Sequence, residues 1–156
     1  MATRVGINGF GRIGRLSLRA AWDWLDLQIV HINEPHGDAE TLAHLLEFDS
    51  VHGRWDQDIS WQSSGLLVSG KHISLSSCST PAEIPWSAAN VDIVIEASGE
   101  FRTRGMLSPH LAGTPRKVIV AAPVNEEDVL NIVMGVNDGL YDPATHDMVT
   151  AASCTT

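Results

Sequence analysis

The chain has 156 residues, of which 44% are hydrophobic and 19% charged, and a formal net charge of −9. That is the size of one ordinary domain with enough apolar material for a core, and 10 Lys plus Arg without a basic stripe argue against a nucleic-acid partner. No apolar run approaches the roughly 20 residues of a membrane span. Arg4 and a glycine loop break the only early apolar run, and two cysteines make no disulfide framework, so the expected setting is the cytoplasm without a membrane partner.

Arg4–Asn8 reads as a short buried strand. It closes on Gly9, Gly11 and Gly14, spaced G-x-G-x-x-G. Ile13, Leu16, Ala20 and Trp24 keep helical spacing, which predicts a helix from Arg12 to about Trp24. Leu27–Asn33 follows as a second strand, and Glu34 ends it, 20 residues after Gly14. This combination is the dinucleotide fingerprint, and each part has a mechanical reason. Gly9 allows the tight turn. Gly11 lets backbone approach a pyrophosphate. Gly14 lets the helix pack close to the sheet. The free N–H groups of the helix start then face the phosphates, and the acid accepts hydrogen bonds from a ribose hydroxyl.

Glu34–Asp38 is a loop, and Asp38 is placed to cap a helix through Leu42, Leu45 and Leu46. Asp58–Val68 and His72–Ser77 alternate in part, with Ser69-Gly70-Lys71 as a tight turn, which predicts an inserted antiparallel hairpin. Ser76–Pro85 is polar and loop-like. Val91–Ala97 is the clearest buried strand and runs into Ser98-Gly99. Thr103–Leu111 suits a helix. Lys117–Ala121, Asn131–Val136 and Met148–Ala151 suit further strands. Apolar runs alternating with helices predict an α/β fold: a Rossmann-type, doubly wound, mostly parallel sheet. Ligands of such sheets sit beyond the carboxyl ends of the strands. The expected cofactor site therefore gathers Asn8, Gly9, Phe10, Gly11, Arg12, Ile13, Asn33, Glu34, Ser98, Gly99 and Ala121. The seven histidines show no metal-ligand spacing, so no metal site is expected; they read as surface or packing residues. The five tryptophans read as packing groups. Arg102 and Arg104 read as a solvated helix start.

Val5–Arg15, Phe48-Asp49-Ser50-Val51-His52-Gly53, Ile84-Pro85-Trp86, Met134-Gly135-Val136-Asn137 and Ser153-Cys154-Thr155-Thr156 occur in one order along the chain. In this the sequence resembles the phosphorylating glyceraldehyde-3-phosphate dehydrogenase family over essentially its whole length. The resemblance implies an NAD-binding domain over residues 1–152, with 153–156 as the start of a catalytic-domain helix. It implies that Cys154 is the nucleophile and that Ser153 and Thr155 help hold a phosphate group. It further implies backbone contacts from Arg12 and Ile13 to the pyrophosphate, Glu34 on the adenosine ribose, and Ser98-Gly99 beside the nicotinamide. The implied chemistry is thiolate attack on an aldehyde, hydride loss to NAD, and cleavage of the thioester by inorganic phosphate. The implied partners are a phosphorylated aldehyde and phosphate, and the implied assembly is a cytoplasmic homotetramer of glycolysis.

Four departures from the family pattern qualify this. Glu34 stands where the family usually has Asp; the acid still disfavours a 2′-phosphate, so NAD is expected over NADP. Ser79, within Cys78–Pro81, replaces a segment that commonly carries an Arg near the adenine. Ala121 stands where a hydroxyl residue is frequent. The family's catalytic His and second domain follow the position of Thr156, so little turnover is expected from these residues without a complementing C-terminal chain. Erythrose-4-phosphate dehydrogenase, an arsenate-resistance paralogue and an inactive NAD-binding module remain open alternatives. Aspartate-semialdehyde dehydrogenase fits the surroundings of Cys154 and Asp49 less well.

Overall fold

The computed structural model describes residues 1–151. Among them, strands β1 (Thr3–Asn8), β2 (Leu27–Asn33), β5 (Ile59–Gln62), β6 (Gly65–Val68), β7 (Lys71–Ser76), β8 (Ile93–Glu96), β9 (Lys117–Val120), β10 (Leu130–Asn131) and β11 (Met148–Thr150) share one sheet. Its spatial order is β10-β11-β9-β8-β1-β2-β7-β6-β5. From β10 to β7 every neighbouring pair is parallel, whereas β7-β6-β5 is an antiparallel meander. This is the mostly parallel Rossmann-type sheet that the apolar runs predict. A separate two-stranded pair joins β3 (Phe48–Asp49) to β4 (Gly53–Arg54).

The inserted element is larger than the expected hairpin. Gly65 at φ 157° follows a turn at Ser63-Ser64, so Asp58–Val68 folds into two strands rather than one. The third, β7, returns to the parallel sheet beside β2.

Helix α1 (Arg12–Ala21) stops three residues short of Trp24 and faces the sheet differently from the expected Ile13–Trp24 stripe. Gly14 and Leu18 are buried, whereas Ile13 is 53% and Trp24 65% exposed. The reason is Gly14 itself. A Cβ there would lie 2.2 Å from the Gly9 carbonyl oxygen, so the glycine side must be the one that touches the turn. Asp38 caps α2 (Ala39–Glu47) as expected, its Oδ1 accepting from the Thr41 N–H at 2.8 Å. Thr103–Leu111 splits into α3 (Arg104–Leu107) and a 3-10 turn, Ser108–Leu111, with Pro109 at its start.

Two apolar clusters sandwich the sheet. Ile7, Phe10, Leu18, Ile32, Leu46, Leu66 and Ile73 fill the face covered by α1 and α2. Trp86, Val94, Leu107, Val118, Val120 and Met148 fill the other. Removing such side chains from water contributes about 1.5–3 kcal/mol each. Gly6 makes the second face possible: a Cβ would lie 2.4 Å from the Trp86 ring, which lies flush against the sheet there.

Candidate functional site

Strand β1 lies inside the parallel region, between β8 and β2. The chain leaves it through α1 to β2 on one side and returns to β8 on its other side. The gap beyond the carboxyl ends of β1 and β8 is therefore the topological switch point, where such sheets bind ligands. A cleft of about 190 Å³ opens there. Asn8, Gly9, Gly11, Asn33, Glu34 and Ser98 line it, as the sequence predicts, together with Pro35, His36, Cys78–Thr80, Ala97, Glu100 and Phe101.

The glycines divide the labour. Gly9 has φ 86°, and a Cβ on it would lie 2.5 Å from the Ser98 backbone; only glycine fits between the two loops. A Cβ on Gly11 would meet nothing within 4 Å, so that position faces open space. Gly11 is also the N-cap of α1 and supplies no capping side chain, and the first turn holds no acidic residue. Among the described residues no acceptor takes the N–H groups of Gly11, Arg12 or Ile13. A helix start with free donors and an uncompensated dipole is suited to a phosphate group.

Glu34 is held from both sides. Its Oε2 accepts from the Phe10 N–H at 2.7 Å and its Oε1 from the His36 N–H at 2.9 Å. The carboxylate thus ties the glycine loop to the β2 loop, and its remaining lone pairs can still meet hydroxyl donors. Phe10 contributes only main chain, since its ring is 1% exposed in the core. The Arg12 guanidinium turns away to a two-pronged contact with Asp49, at 2.9 and 3.2 Å. Asp49 also accepts from the Val51 and His52 N–H groups, and these amides, then Arg12, lower its pKa to about 2. This is the structural task of Asp49–Gly53. Arg19, two turns further along α1, donates to the Leu46 and Glu47 carbonyls and fixes α2 in place.

Of the other predicted residues, Ile13, Gly99 and Ala121 sit near the strand ends without lining the cleft. The Ala121 N–H donates to the Glu96 carbonyl at 2.9 Å. Ser153, Cys154 and Thr155 lie outside the described residues.

Two residues were missed by sequence reasoning. Glu96 is 1% exposed, and His110 is fully buried. Glu96 accepts from the Asn8 side-chain amide at 2.5 Å, from His110 Nε2 at 2.8 Å, and from the Ser98 N–H and hydroxyl. One signal was available: a carboxylate interrupting the apolar run Val91–Ala97, two residues before Ser98 and three before Gly99. Beside Glu96, Asn8 accepts from Asn33, which in turn accepts from Ser76 and the Cys78 N–H.

An elongated phosphate-bearing ligand with a ribose fits these features: free helix-start amides, an open Gly11, and a fixed carboxylate beyond them. Comparisons with known proteins agree. The family model for the glyceraldehyde 3-phosphate dehydrogenase NAD binding domain matches residues 3–104. The whole chain is 56% identical to glyceraldehyde-3-phosphate dehydrogenase 3 of Nostoc sp. and 48% identical to glyceraldehyde-3-phosphate dehydrogenase 1 of Bacillus subtilis. It is 47% identical to the glyceraldehyde-3-phosphate dehydrogenase of Geobacillus stearothermophilus. In each case it spans 46% of the relative's length.

Proposed function

The chain belongs to the glyceraldehyde-3-phosphate dehydrogenase family, with NAD as the cofactor of its matching domain, and on that premise we propose that it serves oxidation and phosphorylation of a phosphorylated aldehyde. The observation that carries this reading is the cleft at the β1–β8 switch point, with Gly11 open, Glu34 fixed and α1 presenting free amides. Bound NAD would accept the hydride of the aldehyde.

The residues of the chain do the rest. The Gly11, Arg12 and Ile13 N–H groups would hold the pyrophosphate, and the dipole of α1 favours its charge. Glu34 would accept from the adenosine ribose hydroxyls. A fixed carboxylate there repels a 2′-phosphate, which favours NAD over NADP. Ser98 and Gly99 would wall the nicotinamide half. Asn8, Asn33 and Ala121 border the same ends of the sheet. Cys154 would attack the aldehyde carbon as thiolate, with Ser153 and Thr155 holding a phosphate group. Cysteine suits the step because its thiolate is both a strong nucleophile and a good leaving group when phosphate cleaves the thioester. A homotetramer in the cytoplasm, acting in glycolysis, is the setting we infer from the family.

Calorimetric titration of the chain with NAD and NADP tests the cofactor half. Saturable NAD binding at one site, tighter than NADP, is expected, and preference for NADP would overturn the reading of Glu34. Incubation with glyceraldehyde-3-phosphate and NAD in the presence of a complementing C-terminal fragment, without phosphate, followed by intact mass, tests the chemistry. An acyl adduct on Cys154, absent in Cys154→Ser, is expected; an adduct elsewhere would refute the assigned nucleophile.

A further inference from the structure

We propose that Glu96 is the positioning residue of the cofactor cleft: one buried carboxylate that sets the spacing between the glycine loop and the Ser98–Gly99 turn. The proposal rests on reading the cleft as the NAD site. It concerns a residue that does not itself line that cleft.

The donors that meet Glu96 come from both walls. Asn8, the residue before Gly9, reaches it from β1. Ser98 reaches it with both its N–H and its hydroxyl, from the loop after β8. These walls touch directly, because Gly9 lies against the Ser98 backbone. Asn8 and Glu96 are also register partners across the parallel pair β1–β8. A change at Glu96 is therefore felt on each side of the cleft.

His110 supplies the fourth bond, and its own state is dictated. The Trp86 indole donates to His110 Nδ1 at 3.1 Å. An indole N–H can only donate, so Nδ1 accepts and the ring hydrogen sits on Nε2, facing Glu96 at 2.8 Å. Asn8 is fixed likewise. Its Oδ1 accepts from Asn33, so its amide nitrogen must face Glu96. Every group around the carboxylate is thus a committed donor, apart from the Ser98 hydroxyl, which can rotate. Such a site demands an acceptor at both oxygens. A buried carboxylate is costly unless fully hydrogen-bonded, and a half-satisfied one is worse than an apolar core.

Glu96→Gln separates positioning from mere packing. Glutamine has nearly the same shape but brings an amide nitrogen. On one side that nitrogen faces the Ser98 N–H; on the other it faces Asn8 and His110, neither of which can reverse. The loops must move to relieve the clash of donors. Val118→Ala is the control. Val118 is buried in β9 among the apolar residues of the Trp86 face and is not one of the residues that line the cleft.

The experiment measures NAD affinity by calorimetry, melting temperature, and backbone and side-chain amide shifts by NMR for the full 156-residue chain. For Glu96→Gln, the dissociation constant for NAD should rise about tenfold or more, as expected on losing charge-assisted hydrogen bonds. The Ser98 amide proton should move upfield, and the Gly11 amide should move with it. For Val118→Ala, the melting temperature should fall while affinity stays within about twofold and the Ser98 and Gly11 amides stay in place. Wild-type affinity and an unmoved Gly11 amide in Glu96→Gln would overturn the proposal. If Glu96→Gln does not fold, Glu96→Asp keeps the charge but withdraws it by one methylene, and the same readouts decide. Failure of the wild-type chain to bind NAD would instead refute the cofactor reading, while the amide shifts, which need no NAD, still decide whether Glu96 sets the loops.

Discussion

Alanine at Gly11 and at Gly14 should separate binding from stability, because the two glycines are open and crowded for different reasons. At Gly14 an added Cβ would lie 2.2 Å from the Gly9 carbonyl oxygen and 3.2 Å from Ile7 Cγ2. An ordinary carbon–oxygen contact is about 3.3–3.6 Å, so α1 must back away from the turn by roughly 1 Å. Overpacking of this kind costs about 1–3 kcal/mol, offset by roughly 0.5–1 kcal/mol of better helix propensity. The net loss of about 1–2 kcal/mol lowers the melting temperature by roughly 2–8 °C in a domain of this size. At Gly11 an added Cβ meets nothing, and φ −65° with ψ −166° suits any residue. Alanine is a poorer N-cap than glycine, so stability should fall by about 0.5–1 kcal/mol, less than at Gly14. The new methyl nevertheless occupies the space a pyrophosphate needs, so NAD should bind at least about tenfold more weakly, about 1.4 kcal/mol. Thermal melts and calorimetric titrations of both variants provide the check. Undiminished NAD affinity in Gly11→Ala would refute the placement of the pyrophosphate. An unchanged melting temperature in Gly14→Ala would refute the close approach of α1 to the turn.

Three further outcomes are expected. Glu34→Gln places an amide nitrogen opposite either the Phe10 or the His36 N–H, so NAD should bind more weakly and discrimination against NADP should shrink; parallel titrations measure the ratio. Burial lowers the His31 pKa to about 4, so the neutral ring is the folded form. Its contribution is fully present above the ordinary value near 6.5 and is lost as pH falls from there toward 4, by about 2 kcal/mol after allowing for solvent; His31→Gln should flatten urea midpoints across that window. Asp49 is depressed to about 2 by the His52 and Val51 amides, then by Arg12. Its contribution is present above about 3.8 and lost as pH falls toward 2. The gap in urea midpoint between wild type and Asp49→Asn should therefore be largest near neutrality and close by pH 2.

The strand Leu27–Asn33 and the Asp38 cap were legible because each rests on local chemistry: a short run rich in Ile and Val, and a carboxylate three residues ahead of the amide it caps. The glycine loop was legible for the same reason. Asn131–Val136 was not. Its apolar residues suggest a strand, yet β10 ends at Asn131, and Met134 and Val136 are each 79% exposed. Side chains there take over the backbone bonding a strand would need. Asn137 accepts from the Val133 N–H and donates to the Asn131 carbonyl, while Asp138 accepts from the Gly135 N–H. Local polar competition of this sort ends a ladder without leaving a periodic trace. The face of α1 was misread because periodicity counts apolar residues, whereas the closest contact is made by a residue with no side chain.

The polar row beneath the cleft was the hardest feature to see, and register explains why. Ser76, Asn33, Asn8 and Glu96 are spread over 89 residues of sequence; Asn8 and Asn33 read as cleft residues, but nothing local links them to Ser76 or Glu96. Parallel pairing sets Ser76 opposite Asn33, Asn33 opposite Asn8, and Asn8 opposite Glu96. Four adjacent strands therefore finish on one line of hydrogen-bonding side chains, and the loops that form the cleft begin immediately after it. Trp86 closes the row from above, edge-on to His31 and bonded to His110. Parallel sheets hydrogen-bond their backbones in any register that buries their apolar faces. A row of committed donors and acceptors selects one register among these, since a slip would leave buried amides and a carboxylate unpaired. The same row that aligns the strand ends thus aligns Gly9, Glu34 and Ser98 with one another, which is what a ligand spanning all three loops requires.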